Sequence, residues 1–281
     1  MKKRRAFIIA FLILSLIISL VLGGCSPSNT TKLKVVTSTS LIAQIVERVG
    51  GGKVDMVNII PPAQCPGHFD VKPSDIQKLA DADLFFFHGW QGEMFSQDLI
   101  ASADNPDLTI VKIDLLGNWM TPPVQQAATE QITAALCQVD TENSAAYQKS
   151  AAEYKDKITA KEAEIKARLV QVDRAHIKVM CAEEQAGFIE WAGLGVTASY
   201  GRPESLTPQV VKALVDIGRE AGVSLIIDNI QSGQDAGAGI AEELGCQRII
   251  LSNFPGGFDN TETWEKAIDR NIEIILEAVT Q

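Results

Sequence analysis

From residue 142 to residue 172 the chain reads ENSAAYQKSAAEYKDKITAKEAEIKARLVQV, without one glycine or proline. Alanine, lysine and glutamate are strong helix formers and nothing in the stretch interrupts the backbone ladder, so it predicts a single long helix. About 30 residues at 1.5 Å each span roughly 45 Å. The charge-rich composition reads as a solvated strut. Such a rod separates the chain into two halves.

The two halves share one grammar. In the first, the apolar runs KLKVVTS (32–38), VDMVNII (54–60), ADLFFFH (82–88) and LTIVKI (108–113) alternate with the amphipathic segments LIAQIVERVG, KPSDIQKLAD and GEMFSQDLIAS. In the second, HIKVMCA (176–182), LGVTASY (194–200), VSLIIDN (223–229) and QRIILSN (247–253) alternate with helical patterns near 184–192, 207–221, 234–244 and 261–279. Alternation of this kind predicts parallel sheets covered by helices. The expected class is α/β: two lobes, each a parallel four-stranded sheet covered by helices, joined by one long backbone helix. The lobes are placed at 35–141 and 173–281 and the linking helix at 142–172, with Ser74 expected to cap the helix that begins near Ile76.

The beginning of the chain is a targeting segment. In MKKRRAFIIAFLILSLIISLVLGGC, Lys2, Lys3, Arg4 and Arg5 precede an almost uncharged apolar run that ends in Gly23, Gly24 and Cys25. Small residues directly before a cysteine at the end of such a run are the bacterial lipoprotein pattern: residues 1–24 a cleaved leader, Cys25 lipidated, and residues 25–34 a polar tether. The competing reading is an uncleaved membrane anchor, since the run is close to spanning length. Both place the rest of the chain on the outer side of a membrane, held there as an extracytoplasmic domain.

Removing residues 1–24 takes four basic and no acidic residues from a formal charge of −10, leaving −14. A chain so acidic, with no basic stripe, will not hold nucleic acid by neutralising phosphates. Outside the cytoplasm the four remaining thiols, Cys65, Cys137, Cys181 and Cys246, would by default pair as two disulfides; metal ligation by some of them is the alternative. Cys137 is expected on a helix surface or in the core, and Cys246 as a small buried apolar group.

The chain has only three histidines, and one of them, His68, stands three residues after Cys65 in the loop PPAQCPGHFDVKPSD (61–75). In open parallel sheets, ligands sit beyond the carboxyl ends of the strands. The loop follows one such end in the first lobe, and CAEEQ follows another in the second. Facing lobes would set Cys65 and His68 across a cleft from Cys181, Glu183 and Glu184. Asp228, also at a strand end, either completes coordination or caps a helix. His176 opens a strand and is expected at the surface. There is no G-x-S-x-G elbow, phosphate-binding loop or H-E-x-x-H, so an enzyme is not expected.

The cysteine after the apolar leader, HFDVKPSD followed by ADLFFFHGWQGE, WMTPP ahead of VDTENSAAYQKSAAEY, and the closing LGCQRIILSNFPGG with NTETWEKAIDRNIEIILEAV together resemble the substrate-binding lipoproteins of bacterial zinc/manganese ABC importers. The resemblance covers nearly all of the chain after the leader. It implies two lobes joined by a long helix, one divalent metal held between them, delivery to an ABC permease as partner, and no catalysis. The family's usual ligands are three histidines and a carboxylate. His68 matches the first; Gly117 stands where the second is expected, Cys181 to Glu184 where the third is, and Ser252 and Asn253 where the carboxylate is.

From this resemblance the expected metal set is Cys65, His68, Cys181 and a glutamate. Glu183 is preferred to Glu184 because it lies five residues before Phe188, as the family's histidine precedes its aromatic residue. Asp228, His88 and Asn253 are supporting or alternative ligands. Thiolates with an imidazole and a carboxylate suit zinc, with other transition metals open, and manganese prefers oxygen-rich sites. Alternatives are a Cys65–Cys181 disulfide locking the lobes, a softer cargo such as copper, a non-metal solute, and an adhesive lipoprotein. A monomer is expected.

Overall fold

The computed structural model describes residues 31–90, 93, 95–174 and 176–280. The expected leader, the lipidation site Cys25 and most of the tether lie outside the described residues. The chain divides into Met1–Lys32 and Leu33–Gln281, and the second unit carries the fold.

The first sheet is built from β1 (Leu33–Thr37), β2 (Val54–Asn58), β3 (Leu84–Phe87) and β4 (Thr109–Lys112), parallel throughout and ordered β2-β1-β3-β4. Between them run α1 (Ser40–Gly50), α2 (Pro73–Ala80) and α3 (Phe95–Ala103). α4 (Pro122–Val139) and the long α5 (Ser144–Val170) follow. The second sheet repeats the plan with β5 (Lys178–Ala182), β6 (Gly195–Tyr200), β7 (Leu225–Asn229) and β8 (Gln247–Leu251), ordered β6-β5-β7-β8 and again parallel. Its helices are α6 (Ala186–Trp191), α7 (Pro208–Ala221), the short α8 (Ile230–Gly233), α9 (Ala238–Leu244) and α10 (Trp264–Val279). The inner strands β3 (LFFF) and β7 (LIIDN) are buried at every position, as strands covered on both faces must be.

α5 is one helix of 27 residues, about 40 Å long. It is less solvated than its charge content suggested. Tyr147, Ala151, Tyr154, Ile158, Ile165 and Leu169 form a buried stripe at helical spacing, packed on α1, α4 and α10. Tyr154 ties three helices: its hydroxyl donates to Gln44 Oε1 (2.9 Å) and accepts from Gln125 Nε2 (2.9 Å). One apolar cluster runs through both sheets and this helical layer, from Val35 and Leu84 to Val179 and Leu225, so the lobes share a core. Smaller clusters cover the outer face of each sheet. An interface of that kind restricts relative motion of the lobes.

Two local expectations are corrected. Lys72, not Ser74, caps α2: Pro73 takes the first helical position, where a missing N–H costs nothing, and Asp75 accepts the Lys72 backbone N–H at 3.0 Å. The default pairing of thiols does not occur either. Cys65, Cys137, Cys181 and Cys246 are all free, so no bridge between Cys65 and Cys181 locks the lobes. Cys137 is half-buried and donates to the Ser144 carbonyl at 3.6 Å, while Cys246 packs, half-buried, on the outer cluster of the second sheet.

Candidate functional site

Both sheets reverse their strand order once, between β1 and β3 and between β5 and β7. A crevice opens at the carboxyl ends of the strands at such a switch point. In the first lobe the segments leaving β1 and β3 are locked together. Ser38 Oγ donates to Glu93 Oε1 (2.6 Å), and Glu93 Oε2 accepts the N–H groups of His88 (2.7 Å) and Gly89 (2.9 Å). Burial pushes the Glu93 carboxyl above its ordinary range against these three donors. His88 Nε2 lies 2.7 Å from Thr39 Oγ1, and burial holds the imidazole well below its usual pKa, hence neutral.

This lock aims two indoles. Gly89, at φ 74°, lets the chain fold back so that Trp90 stacks on His88 at 3.7 Å and 9°. Trp119 meets His88 at 81°, with centroids 4.4 Å apart. Trp90 also lies parallel to Phe254 of the second lobe, with centroids 6.5 Å apart.

The second lobe answers with polar groups. After β5 the turn Glu183–Gln185 places the Glu184 carboxylate where it accepts from Ser232 Oγ (2.9 Å), with Arg202 Nε 3.8 Å away. The Glu184 carbonyl accepts from Asn118 Nδ2 (2.8 Å) and Asn253 Nδ2 (2.9 Å), and Asn118 Nδ2 also donates to Asn253 Oδ1 (2.9 Å). Two further bonds join the lobes: Gln231 Nε2 donates to the Pro62 carbonyl (2.9 Å), and Ser40 Oγ to that of Pro255 (2.8 Å). Between these groups lies a cavity of about 370 Å³. Its walls include Leu41, Trp90, Trp119 and Phe254 on the apolar side and Cys65, Glu184, Arg202 and Asn253 on the polar side.

Of the residues singled out from sequence, Cys65, Glu184 and Asn253 line this cavity. Pro66, buried at the start of the turn Pro66–His68, draws Cys65 inward; His68, at the other end, points out, its side chain 62% exposed and Nε2 3.7 Å from Glu204 Oε1. Cys181 alternates into the shared core, wholly buried, and burial, reinforced by Glu190 and Glu184, pushes its thiol up to about 12. Glu183 is exposed and Glu184 turns inward, the reverse of the preferred order. Asp228 is buried within its own lobe: Oδ1 accepts from Tyr200 OH and the Gly237 N–H, and Oδ2 from Arg248 Nη1, each at 2.7 Å. His88 stands behind the indoles, and His176 is at the surface with Asp173 3.5 Å away. Among the described residues no three of His, Cys, Asp and Glu gather in a group able to hold a metal ion. The expected Cys65–His68–Cys181–glutamate set is therefore not assembled here.

Trp90, Asn118, Trp119, Arg202, Ser232 and Phe254 escaped sequence reading. Each follows the carboxyl end of a strand, where ligands of open parallel sheets gather, but none is a His, Cys, Asp or Glu.

A family model described as ZnuA, zinc-uptake complex component A, periplasmic, matches residues 35–278. The manganese ABC transporter substrate-binding lipoprotein PsaA of Streptococcus mitis is 27% identical over 256 residues, 82% of each chain. The metal ABC transporter substrate-binding lipoprotein SsaB of Streptococcus sanguinis is 27% identical over 253 residues, 79% of this chain and 82% of that one. Among solved structures, the solute-binding protein FpvC of Pseudomonas aeruginosa in complex with Ni2+ superposes with a TM-score of 0.77 at 22% identity, covering 89% of this chain and 97% of that one. A cadmium-bound periplasmic metal-binding protein of Candidatus Liberibacter asiaticus gives 0.77 at 18% identity, covering 88% and 100%. At these identities the structural matches carry the fold.

Proposed function

Because the chain belongs to the family of zinc-uptake complex component A, whose members are solute-binding proteins and not enzymes, we propose that it captures a transition metal in the cavity between its lobes and hands it to an ABC permease. The relatives are named as metal or manganese ABC transporter substrate-binding lipoproteins, which supports metal capture and delivery as the role. No helix among the described residues is long and apolar enough to cross a membrane. A lipid on Cys25 is the anchor in this reading, and the working unit is a monomer.

The observation that carries the proposal is the cavity itself: it lies at the switch points of both sheets, and Cys65 and Glu184 face it from opposite lobes. A thiol and one carboxylate make a softer pair than the oxygen-rich sites manganese favours, which supports a borderline ion such as zinc or nickel. His68, Cys181 and Glu183 have no part in this reading.

Uptake of trace radioactive zinc and nickel tests it in cells lacking the chain and in cells given back the wild type, Cys65→Ser or Glu184→Gln. Import of one metal is expected to fall without the chain, return with the wild type and stay low with both variants. Import unaffected by deletion would overturn the reading.

A further inference from the structure

Resting on metal import as the cargo class, we propose that the metal enters this cavity already wrapped by a small organic chelator and not as a bare ion. Donor number is the first ground. A bare divalent ion in a protein site takes three or four side-chain donors at about 2.0–2.3 Å. The ligating types lining the cavity are Cys65, Glu184 and Asp114, and Asp114 sits at the rim, 72% exposed and paired with Lys112 at 2.9 Å.

Charge is the second. The inward carboxylate of Glu184 has the Arg202 guanidinium 3.8 Å away. A dication settling beside that carboxylate also meets the guanidinium and is repelled by it. An ion neutralised by its own chelator avoids this. Where the family resemblance implied the second and fourth ligands, this chain has Gly117 and the pair Ser252 and Asn253; the neutral amides of Asn253 and of Asn118, next to Gly117, are bonded to each other across the lobes.

Size and surface are the third. A cavity of about 370 Å³ is roughly ten times the share of one water and within the ~300–1,000 Å³ of small-molecule sites. Trp90, Trp119 and Phe254 offer rigid apolar faces, from which a hydrated ion gains nothing and an organic ring or chain gains contact.

Titration calorimetry on the full-length lipoprotein in detergent tests the proposal. The probes are zinc, nickel and copper(II) as bare ions, their complexes with L-histidine, citrate and 2,3-dihydroxybenzoate, and each chelator alone. At least one complex is expected to bind about 100-fold more tightly than both its bare ion and its free chelator. Trp90→Ala is expected to weaken that complex by about tenfold with unchanged circular dichroism. Sub-micromolar one-to-one binding of a bare ion, a free chelator binding as tightly as its complex, or no complex exceeding its bare ion would each overturn the proposal. The first of these would leave metal import standing; import unaffected by deletion of the chain would remove both.

Discussion

Asn118 Nδ2 donates to Asn253 Oδ1 at 2.9 Å, a bond from the first lobe to the second at the edge of the cavity. The same amide donates to the Glu184 carbonyl, and Asn253 Nδ2 does so too. Neutral amides thus hold the lobes together beside the cavity. Asn118→Ala leaves the Asn253 oxygen short of a donor and is expected to cost about 1–3 kcal/mol. Urea unfolding in the absence of metal measures it; an unchanged midpoint would show that the net does not brace the lobes.

Cys181 and Cys65 are expected to separate. Cys181→Ala should lose roughly 1 kcal/mol of stability and keep cargo binding, whereas Cys65→Ser should keep the fold and lose binding. Burial raises the Cys181 thiol from 9.0 to about 12. Its contribution is therefore fully present below about pH 9 and lost as pH rises toward 12. Denaturation midpoints from pH 8 upward should fall less steeply in the alanine variant, and iodoacetamide should alkylate Cys181 only on unfolding.

His88 gives the opposite pH sign. Its folded pKa is depressed by burial, so its contribution is present above the unfolded value of about 6.5 and lost as pH falls below it, where the unfolded chain takes a proton the folded one refuses. His88→Gln should flatten the loss of stability between pH 7 and pH 5. It should also alter tryptophan fluorescence, because Trp90 stacks on this ring. An acid limb of the same steepness in the variant would contradict the assignment.

His68 Nε2 lies 3.7 Å from Glu204 Oε1, with both side chains more than half exposed. Such pairs contribute about 0–1 kcal/mol. His68→Ala is expected to change both stability and cargo affinity little, and a large loss of affinity would return this histidine to the site.

The fold was legible because its signals are periodic and local. All eight strand runs became strands, and the Gly/Pro-free segment became α5, since continuous apolar runs and unbroken helix formers leave few alternatives. α4 was not foreseen, and the depth of α5's buried face depends on that missing partner. The site was legible in place and not in detail. Cys65 and Glu184 reach the cavity, but whether His68 or Cys65 faces inward turns on one short helical turn, and Glu183 against Glu184 on another. Pairwise spacing does not encode such orientations. Nor does a search for ligating types find Trp90, Trp119 and Asn118, whose roles come from stacking and lobe-bridging hydrogen bonds.

Element-resolved anomalous scattering from crystals grown with the metal complexes tests the cargo seat most directly. The account predicts one peak inside the cavity bounded by Cys65, Trp90, Glu184 and Asn253, with non-protein density continuing from the metal toward the indoles. A peak ringed by protein side chains alone, or one lying outside that cavity, would contradict it.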